Sequence, residues 1–270
     1  MTTTQEKVYQ LTKQLIKNDE ANSRKLQREL KGVSVAFMAW WQTFTSKYPD
    51  YRQEDGTRFA DNELRQELDE YARENGLRNE IVSNNEQLLT YATVVFSSVA
   101  AYKAIEFISG ALTKELKFNA EFGRKLYGIT DNELSLSIID ELLDGVKWSD
   151  RIWTHQAELR GDMYKLMKKV LLQNENLTAY NKELRDKFNV NRNQADRILR
   201  TEGARVAGLQ QSHNVKVSGY DKMEWIASAG ACDYCRPLDG KVFPASRFGD
   251  GEYVIPKHPN CRCSVAAVAE

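Results

Sequence analysis

The sequence predicts a mainly α-helical protein, with an N-terminal helical bundle and long helices followed by a small α+β module that contains a Cys/His cluster. The 270 residues include only 5 prolines and 15 glycines, so few positions force a helix to end. Apolar residues recur at helical spacing as far as about residue 212. All 4 cysteines lie between positions 232 and 263. We therefore expect an N-terminal helical domain (1–125), a helical middle segment (126–212) and a C-terminal module (213–270).

Composition restricts the class of protein. The 38 basic and 38 acidic residues balance, and a protein that holds DNA through its phosphates alone is usually basic. The uncharged stretch Gln87–Tyr102 is shorter than the about 20 residues of a membrane span, so we expect a buried helix and no membrane contact. No apolar run follows Met1, which argues against a signal peptide and for a reducing compartment.

Four helices are expected in the N-terminal domain, at 5–31, 33–44, 61–75 and 88–112. The first has a thin apolar stripe, which fits either a partner-binding helix or an ordinary solvated helix. In the second, the aromatic residues around Trp40 indicate a core or a subunit contact. Asp61 is the expected N-cap of the third helix and Gly76 its stop. We expect this domain to serve protein contact.

The middle segment begins with a short helix expected at 131–143. Ser149 is then the expected N-cap of a longer helix, with Asp150 favourable in its first turn. Trp148 and Trp153 flank this start and are expected to anchor the helix.

The last long helix is expected to open at Asn191 or Asn193. Glu202 falls on its apolar stripe, and a carboxylate that faces a core needs a partner. We expect a structural hydrogen bond or ion pair that ties this helix to the C-terminal module. Residues 160–205 include eleven basic and six acidic side chains, an excess that is also typical of a solvated face.

The C-terminal module has strand-like stretches at 224–227, which includes Trp225, and at 241–243. Asp239 and Gly240 precede the second stretch and are typical of a tight hairpin turn. The module has few apolar residues for its size, a situation in which a metal or a cross-link replaces a core.

The cysteines and one histidine supply two short donor groups, Cys232-x2-Cys235 and His258-x2-Cys261-x-Cys263. Zinc takes four tetrahedral thiolate or imidazole ligands, so five candidates suffice. Residues i and i+2 of an extended chain point to opposite faces. We therefore expect Cys232, Cys235 and Cys263, with either His258 or Cys261, to bind one Zn²⁺. A pair of disulfides, or four reduced and packed cysteines, are the alternatives.

These motifs together resemble the C-terminal signature of phage minor head proteins, the Mu F-like or head-morphogenesis family. The most specific part is the end His-Pro-Asn-Cys-Arg-Cys, residues 258–263. Arg200-Thr201-Glu202 and the string 148–153 are also similar to this family. Two departures occur: Ala229-Gly230-Ala231 stands where the family usually has an Asp and a basic residue, and Ile255-Pro256-Lys257 where it often has a Pro-Pro pair.

The resemblance implies a minor head protein of a tailed phage or prophage, made in the host cytoplasm and packaged in few copies inside the head. It implies association with the portal protein during assembly, with scaffold or major capsid protein as further candidate partners, and DNA contact at packaging or ejection. With its balanced charge, the chain is expected to bind DNA weakly and without sequence preference. The alternative is a zinc-containing nucleic-acid-binding protein. No Walker loop, Gly-x-Ser-x-Gly or His-Glu-x-x-His motif occurs, so no catalysis is expected.

Overall fold

The computed structural model describes residues 3–129, 136–173 and 177–268, and it confirms the predicted fold class of long helices followed by a small strand region. The helices are α1 (Thr3–Lys47), α2 (Gln53–Thr57), α3 (Asn62–Glu74), α4 (Asn85–Tyr127), α5 (Ser137–Asp140), α6 (Trp148–Gln173) and α7 (Leu177–Val217). The strands are β1 (Lys222–Ile226), β2 (Val242–Pro244) and β3 (Ser264–Ala267).

Contacts between residues group the chain into two compact units. Unit 1 consists of Met1–Lys25, Phe107–Trp148 and Asp196–Glu270. Unit 2 consists of Leu26–Glu106 and Ser149–Ala195. Each unit therefore draws on several segments of the chain, and α1, α4 and α7 each contribute residues to both.

Helix α1 is continuous, so the break predicted at Gly32 is wrong. Apolar side chains remain buried on both sides of the glycine, from Leu30 and Val33 to Phe37. Burial of this stripe exceeds the roughly 1 kcal/mol that an interior glycine costs a helix. The part of α1 before residue 26 is not an ordinary solvated helix either, because Val8 and Leu11 are buried within unit 1. Its stripe is thus occupied by the protein's own residues.

Helix α3 starts and stops where the sequence predicted. The Asp61 carboxylate accepts a hydrogen bond from the backbone N–H of Leu64 at 3.0 Å, which satisfies one free donor of the first turn. The helix ends at Glu74, and Gly76 has a φ of 74°, a left-handed conformation that glycine adopts readily.

Helix α4 extends beyond the predicted 88–112 at both ends. By length and composition alone it is long and apolar enough to cross a membrane, but 67% of its most apolar 18-residue window is buried in the structure. In unit 2, Phe96 of this helix packs edge-on against Phe37 of α1, with ring centroids 5.4 Å apart. Such burial is what the core helix of a soluble protein shows.

Helices α6 and α7 both begin earlier than predicted. Helix α6 begins at Trp148, which places Ser149 inside the first turn and not at the N-cap. Helix α7 begins at Leu177, so Asn191 and Asn193 lie in its interior. The buried Asn191 amide accepts a hydrogen bond from Gln156 at 2.9 Å, and it packs the two helices together instead of capping one. The short helix predicted at 131–143 is described only from residue 136, where α5 forms.

The three strands form one antiparallel sheet in the order β2-β1-β3. Strands β1 and β2 are joined by a long connection, so Asp239 and Gly240 do not close a tight hairpin. They form a turn that holds this connection to the end of β1. The Gly240 N–H donates to the Trp225 carbonyl at 2.9 Å, and the Asp239 carboxylate accepts from the Ala227 N–H at 2.8 Å.

The sheet has a substantial hydrophobic core, contrary to the expectation that the module lacks one. Buried side chains from all three strands, among them Met223, Phe243 and Val265, pack with Val215 of α7. All but one of these buried residues lie within the segment 213–270 itself, and Ala204 of α7 joins them from outside it. The close approach depends on Gly208, where an added Cβ would lie 2.9 Å from the Ile255 Cβ.

Candidate metal centre

Two short turns carry four of the predicted donors. In the first, the backbone N–H of Cys235 donates to the carbonyl of Cys232 at 3.1 Å. In the second, the N–H of Cys261 donates to the carbonyl of His258 at 3.0 Å. The fifth donor, Cys263, directly precedes β3. Both donor pairs are therefore closed by the same backbone hydrogen bond, although the turns differ in type, since Asn260 has a φ of 62° and neither central residue of the first turn has a positive φ.

The five predicted donors form two groups that share Cys235. The donor atoms of Cys232, Cys235 and His258 lie within 4.8 Å of one another, and so do those of Cys235, Cys261 and Cys263. The four cysteines are free thiols, and the sulfurs of Cys235 and Cys261 are 4.0 Å apart, about twice the roughly 2.05 Å of a disulfide bond. Thiolates and an imidazole at these separations suit the ligand preference of Zn²⁺.

Interactions within the cluster shift the pKa values of its thiols in opposite directions. The hydrogen bond that Cys263 donates lowers the pKa of Cys261 to about 5, and the same bond raises the pKa of Cys263. Burial raises the pKa of Cys235 to about 12. Hydrogen bonds from backbone N–H groups, that of Cys235 first, lower the pKa of Cys232.

The histidine is held by its other ring nitrogen. His258 Nδ1 lies 2.8 Å from the carbonyl oxygen of Pro259, and Nε2 lies 3.2 Å from the sulfur of Cys232. Burial lowers the pKa of His258, but the bond to Pro259 and the nearby Cys261 and Cys232 outweigh this effect, so its pKa is raised.

A cleft of about 300 Å³ opens beside the cluster within unit 1. Residues 228–231 form one of its sides, and Glu20 of α1 and Arg200 of α7 contribute charged groups. Cys232 is exposed, whereas Cys235 and Cys261 are buried. The cluster is thus accessible to solvent from the side of its first turn.

The second turn is fixed to the helices of unit 1. The backbone N–H of Asn260 donates to the hydroxyl of Thr201 in α7 at 3.1 Å. Arg262, between the last two cysteines, forms an ion pair with Asp19 of α1, and both side chains are largely buried. These contacts set the position of the donors that flank Arg262.

Two buried carboxylates lie behind this turn. Burial raises the pKa of Asp19 to about 6, even though Arg262 and Arg200 favour its charged form. Burial, and then the negative charge of Asp19, raise the pKa of Glu115 in α4 to about 8. Neither residue was predicted from the sequence to be buried. The sequence does indicate that Asp19 is buried, because Asp19 follows Leu15 at a spacing of four and continues the apolar stripe of α1.

Glu202, predicted to need a partner, lies in the core of unit 1 and pairs with Arg205 on the next turn of α7 at 2.6 Å. The Arg205 guanidinium also donates to the carbonyls of Ile138 and Ile139, at 2.7 and 3.0 Å. The pair therefore ties α7 to α5, and not to the C-terminal module as expected.

The three predicted structural tryptophans have different environments. Trp148 is buried in unit 1, and Trp225 is fully buried in the core of the sheet. Trp153 is 39% exposed and contacts Tyr102 edge-on, with centroids 5.2 Å apart, in unit 2.

Residues 163–266 match the model of the family described as Phage Mu protein F like protein. The match includes the donor cluster and Arg200–Glu202, whereas the string 148–153 lies outside it. No curated protein and no solved structure matches the chain. The matched family consists of structural head proteins, which suggests a role in phage head morphogenesis, a location in the virion and interaction with other head components. The match over residues 163–266, which carry the Cys/His cluster and the helix that supports it, supports the assignment to the phage Mu protein F like family.

Proposed function

We propose that this chain is a minor head protein that associates with the portal protein during head assembly and contacts DNA weakly at packaging or ejection. The family match over residues 163–266 is the observation that carries the proposal. Scaffold and major capsid proteins are further candidate partners, since a head protein is assembled among them.

A surface in unit 2 supports a protein contact. Phe59 and Ile81 are 93% and 97% exposed, the highest values among the large apolar side chains that the structure describes. Phe59 pairs through its backbone with Asn84, and the Ala60 N–H donates to the Ser83 carbonyl at 3.1 Å, so the two segments lie side by side. Isolated apolar side chains on a surface are ordinary, but two that are this exposed on neighbouring segments make a candidate interaction site.

Co-purification with the portal protein of the same phage tests this part of the proposal. The double substitution Phe59→Ser and Ile81→Ser is expected to abolish co-purification, because it removes the apolar surface and leaves the buried core intact. Val190→Ser, at a 55% exposed position in the same unit, is the matched control and should retain it. Absence of portal association in the unsubstituted protein would refute the proposal, and retention in the double variant would exclude this surface.

DNA contact has a candidate surface in a second part of unit 2. A cleft of about 440 Å³ between α1 and α7 is lined by Lys31, Arg185 and Arg192 together with amide and apolar side chains. None of the ten described residues that line it is a carboxylate. Elsewhere in 160–205, cations are used in ion pairs: Lys168 with Glu86, Lys187 with Asp162, Arg200 with Asp196 and Arg205 with Glu202. The cleft therefore concentrates positive charge that the balanced composition conceals.

The salt dependence of DNA affinity in substituted proteins tests whether this cleft, and not the charge of the whole protein, contacts DNA. We expect weak binding to any duplex sequence, and each phosphate contact adds about 0.9 to the slope of log affinity against log salt concentration. Lys31→Gln with Arg185→Gln should reduce that slope by up to about 1.8. Lys187→Gln, which removes a cation already paired with Asp162, should change it little. Tight, salt-resistant and sequence-selective binding would instead favour a zinc-containing nucleic-acid-binding protein.

A further inference from the structure

The two Cys/His turns share a donor spacing and a closing hydrogen bond, and these shared features select four of the five donors. Cys232 and Cys235 occupy the first and last positions of one turn, and His258 and Cys261 occupy the same positions of the other. Each turn is closed by a hydrogen bond from the last residue to the carbonyl of the first, at 3.1 and 3.0 Å. A pair of ligands spaced in this way is the usual unit of a structural zinc site, which needs two such pairs.

The orientation of His258 is that of a metal ligand. A carbonyl oxygen can only accept, so the 2.8 Å contact between Nδ1 and the Pro259 carbonyl places the proton on Nδ1. The lone pair of a neutral imidazole is then on Nε2, the nitrogen that faces the sulfur of Cys232. Metal-binding histidines are commonly fixed by such a bond from the second nitrogen.

The distances between the turns match a tetrahedral ion. Ligands at about 2.3 Å for sulfur and about 2.0 Å for nitrogen lie about 3.8 Å apart for two sulfurs and about 3.5 Å apart for sulfur and nitrogen. The observed separations are 4.0 Å between Cys235 and Cys261, and 3.2 Å between Cys232 and His258. Each of these contacts joins one donor of each turn, and Cys235 also lies within 4.8 Å of both Cys232 and His258.

Cys263 is held by a different part of the fold. It directly precedes β3, whose pairing with β1 begins at Ser264 opposite Ile226. It belongs to neither closed turn, although its sulfur lies within 4.8 Å of those of Cys235 and Cys261. Its thiol is buried among the apolar side chains of the module, beside the sulfur of Cys261, to which it can donate. Hydrogen bonds to a ligand sulfur are the usual surroundings of a bound metal.

We infer that this protein binds one structural Zn²⁺ through Cys232, Cys235, His258 and Cys261, and that Cys263 is a positioning residue that donates to a ligand and does not bind the ion. This set differs from the expectation drawn from the sequence, in which Cys263 was a ligand. The inference concerns the metal alone and does not depend on portal or DNA contact.

Metal analysis of the full-length protein, purified under reducing conditions, tests the set. The unsubstituted protein should contain one zinc per chain. Cys263→Ser should keep one zinc, with affinity reduced roughly 10- to 100-fold as for other residues that support a ligand. Cys261→Ser and His258→Asn should lose stoichiometric zinc, while circular dichroism reports whether the helices remain.

Cobalt substitution gives a second measurement that does not depend on zinc affinity. Co²⁺ in the unsubstituted protein should show the tetrahedral absorption bands of three thiolates and one imidazole. His258→Cys should retain the ion and shift these bands to those of four thiolates, and Cys263→Ser should leave them unchanged. Loss of the three-thiolate spectrum in Cys263→Ser, with zinc retained in His258→Asn, would place Cys263 in the ligand set and overturn the inference. If the unsubstituted protein binds neither metal, no zinc site exists, and the family assignment is unaffected.

Discussion

Neutralising Glu115 is expected to stabilise the protein at alkaline pH. Its carboxylate lies behind the Asp19–Arg262 ion pair, next to a cavity of only about 10 Å³, which is at the lower limit for one water molecule. The Asn119 amide donates to it at 3.1 Å, and this is a bond that a glutamine oxygen can also accept. Glu115→Gln therefore removes the charge and keeps the shape and the hydrogen bond.

The size of the effect follows from the shift in the pKa of Glu115. Burial and the charge of Asp19 raise this pKa from 4.5 to about 8 in the folded state. Because the folded state holds the proton more tightly, the stabilisation is complete below pH 4.5 and is lost as the pH rises through 8. A shift of this size corresponds to about 5 kcal/mol at roughly 1.4 kcal/mol per pKa unit. The glutamine variant has no such loss, so its advantage should grow from near zero at pH 4.5 to several kcal/mol above pH 8.

Urea denaturation between pH 5 and pH 8.5 measures this difference. Both proteins should be studied in the same reducing buffer with zinc, so that any metal contribution cancels. Glu121→Gln is the matched control, because Glu121 lies on the same helix but is exposed and pairs with Lys125, which lowers its pKa. The control should show no gain as the pH rises. A difference between Glu115→Gln and the unsubstituted protein that stays constant over this range would refute the reasoning.

Two further substitutions test contacts within unit 1. Gly208→Ala brings a Cβ to 2.9 Å from that of Ile255 and should reduce the free energy of unfolding by about 1–3 kcal/mol. The control Gly161→Ala, in open space on α6, should raise the free energy of unfolding by about 0.5–1 kcal/mol. Equal effects of the two substitutions in thermal denaturation would contradict the close approach at Gly208. Arg205→Met leaves the Glu202 carboxylate buried without its cation and should cost about 3–5 kcal/mol. Adding Glu202→Leu should recover most of this loss, and no recovery would show that the carbonyl contacts of Arg205 matter more than the ion pair.

Local patterns made part of this fold predictable. The helical period of apolar residues and the Asp61 cap are properties of neighbouring residues, and both appear in the structure. The clustering of cysteines in the sequence likewise indicated a common site, and the donors form two groups that share Cys235. Local patterns gave wrong helix ends where tertiary packing determines how far a helix continues. Gly32 and Asn191 have the chemistry of helix ends, yet both lie within helices because buried side chains continue past them.

The partners of the buried charges could not be assigned from local patterns, because they are distant in sequence, although the spacing from Leu15 places Asp19 itself on the apolar stripe. Asp19 and Ser23 occupy the face of α1 between its two apolar stretches, a region that appears solvated in the sequence. Asp19 pairs with Arg262, and Ser23 accepts a hydrogen bond from Arg200 at 2.9 Å. The C-terminal module, in contrast, forms its core mainly from its own residues, with Ala204 of α7 beside them.

The segment His258–Cys263 has two physical roles, and both place requirements on the residue types at its six positions. His258 and Cys261 present donors to the cluster, while the residues between and after them hold the segment on the helices. Asn260, with a φ of 62°, completes the turn and bonds to Thr201, and Arg262 pairs with Asp19. Because donors and anchors alternate, a change in the cluster acts on α1 and α7 as well as on the sheet. The C-terminal module therefore cannot be treated as a unit that loses its structure while the helices remain unaffected.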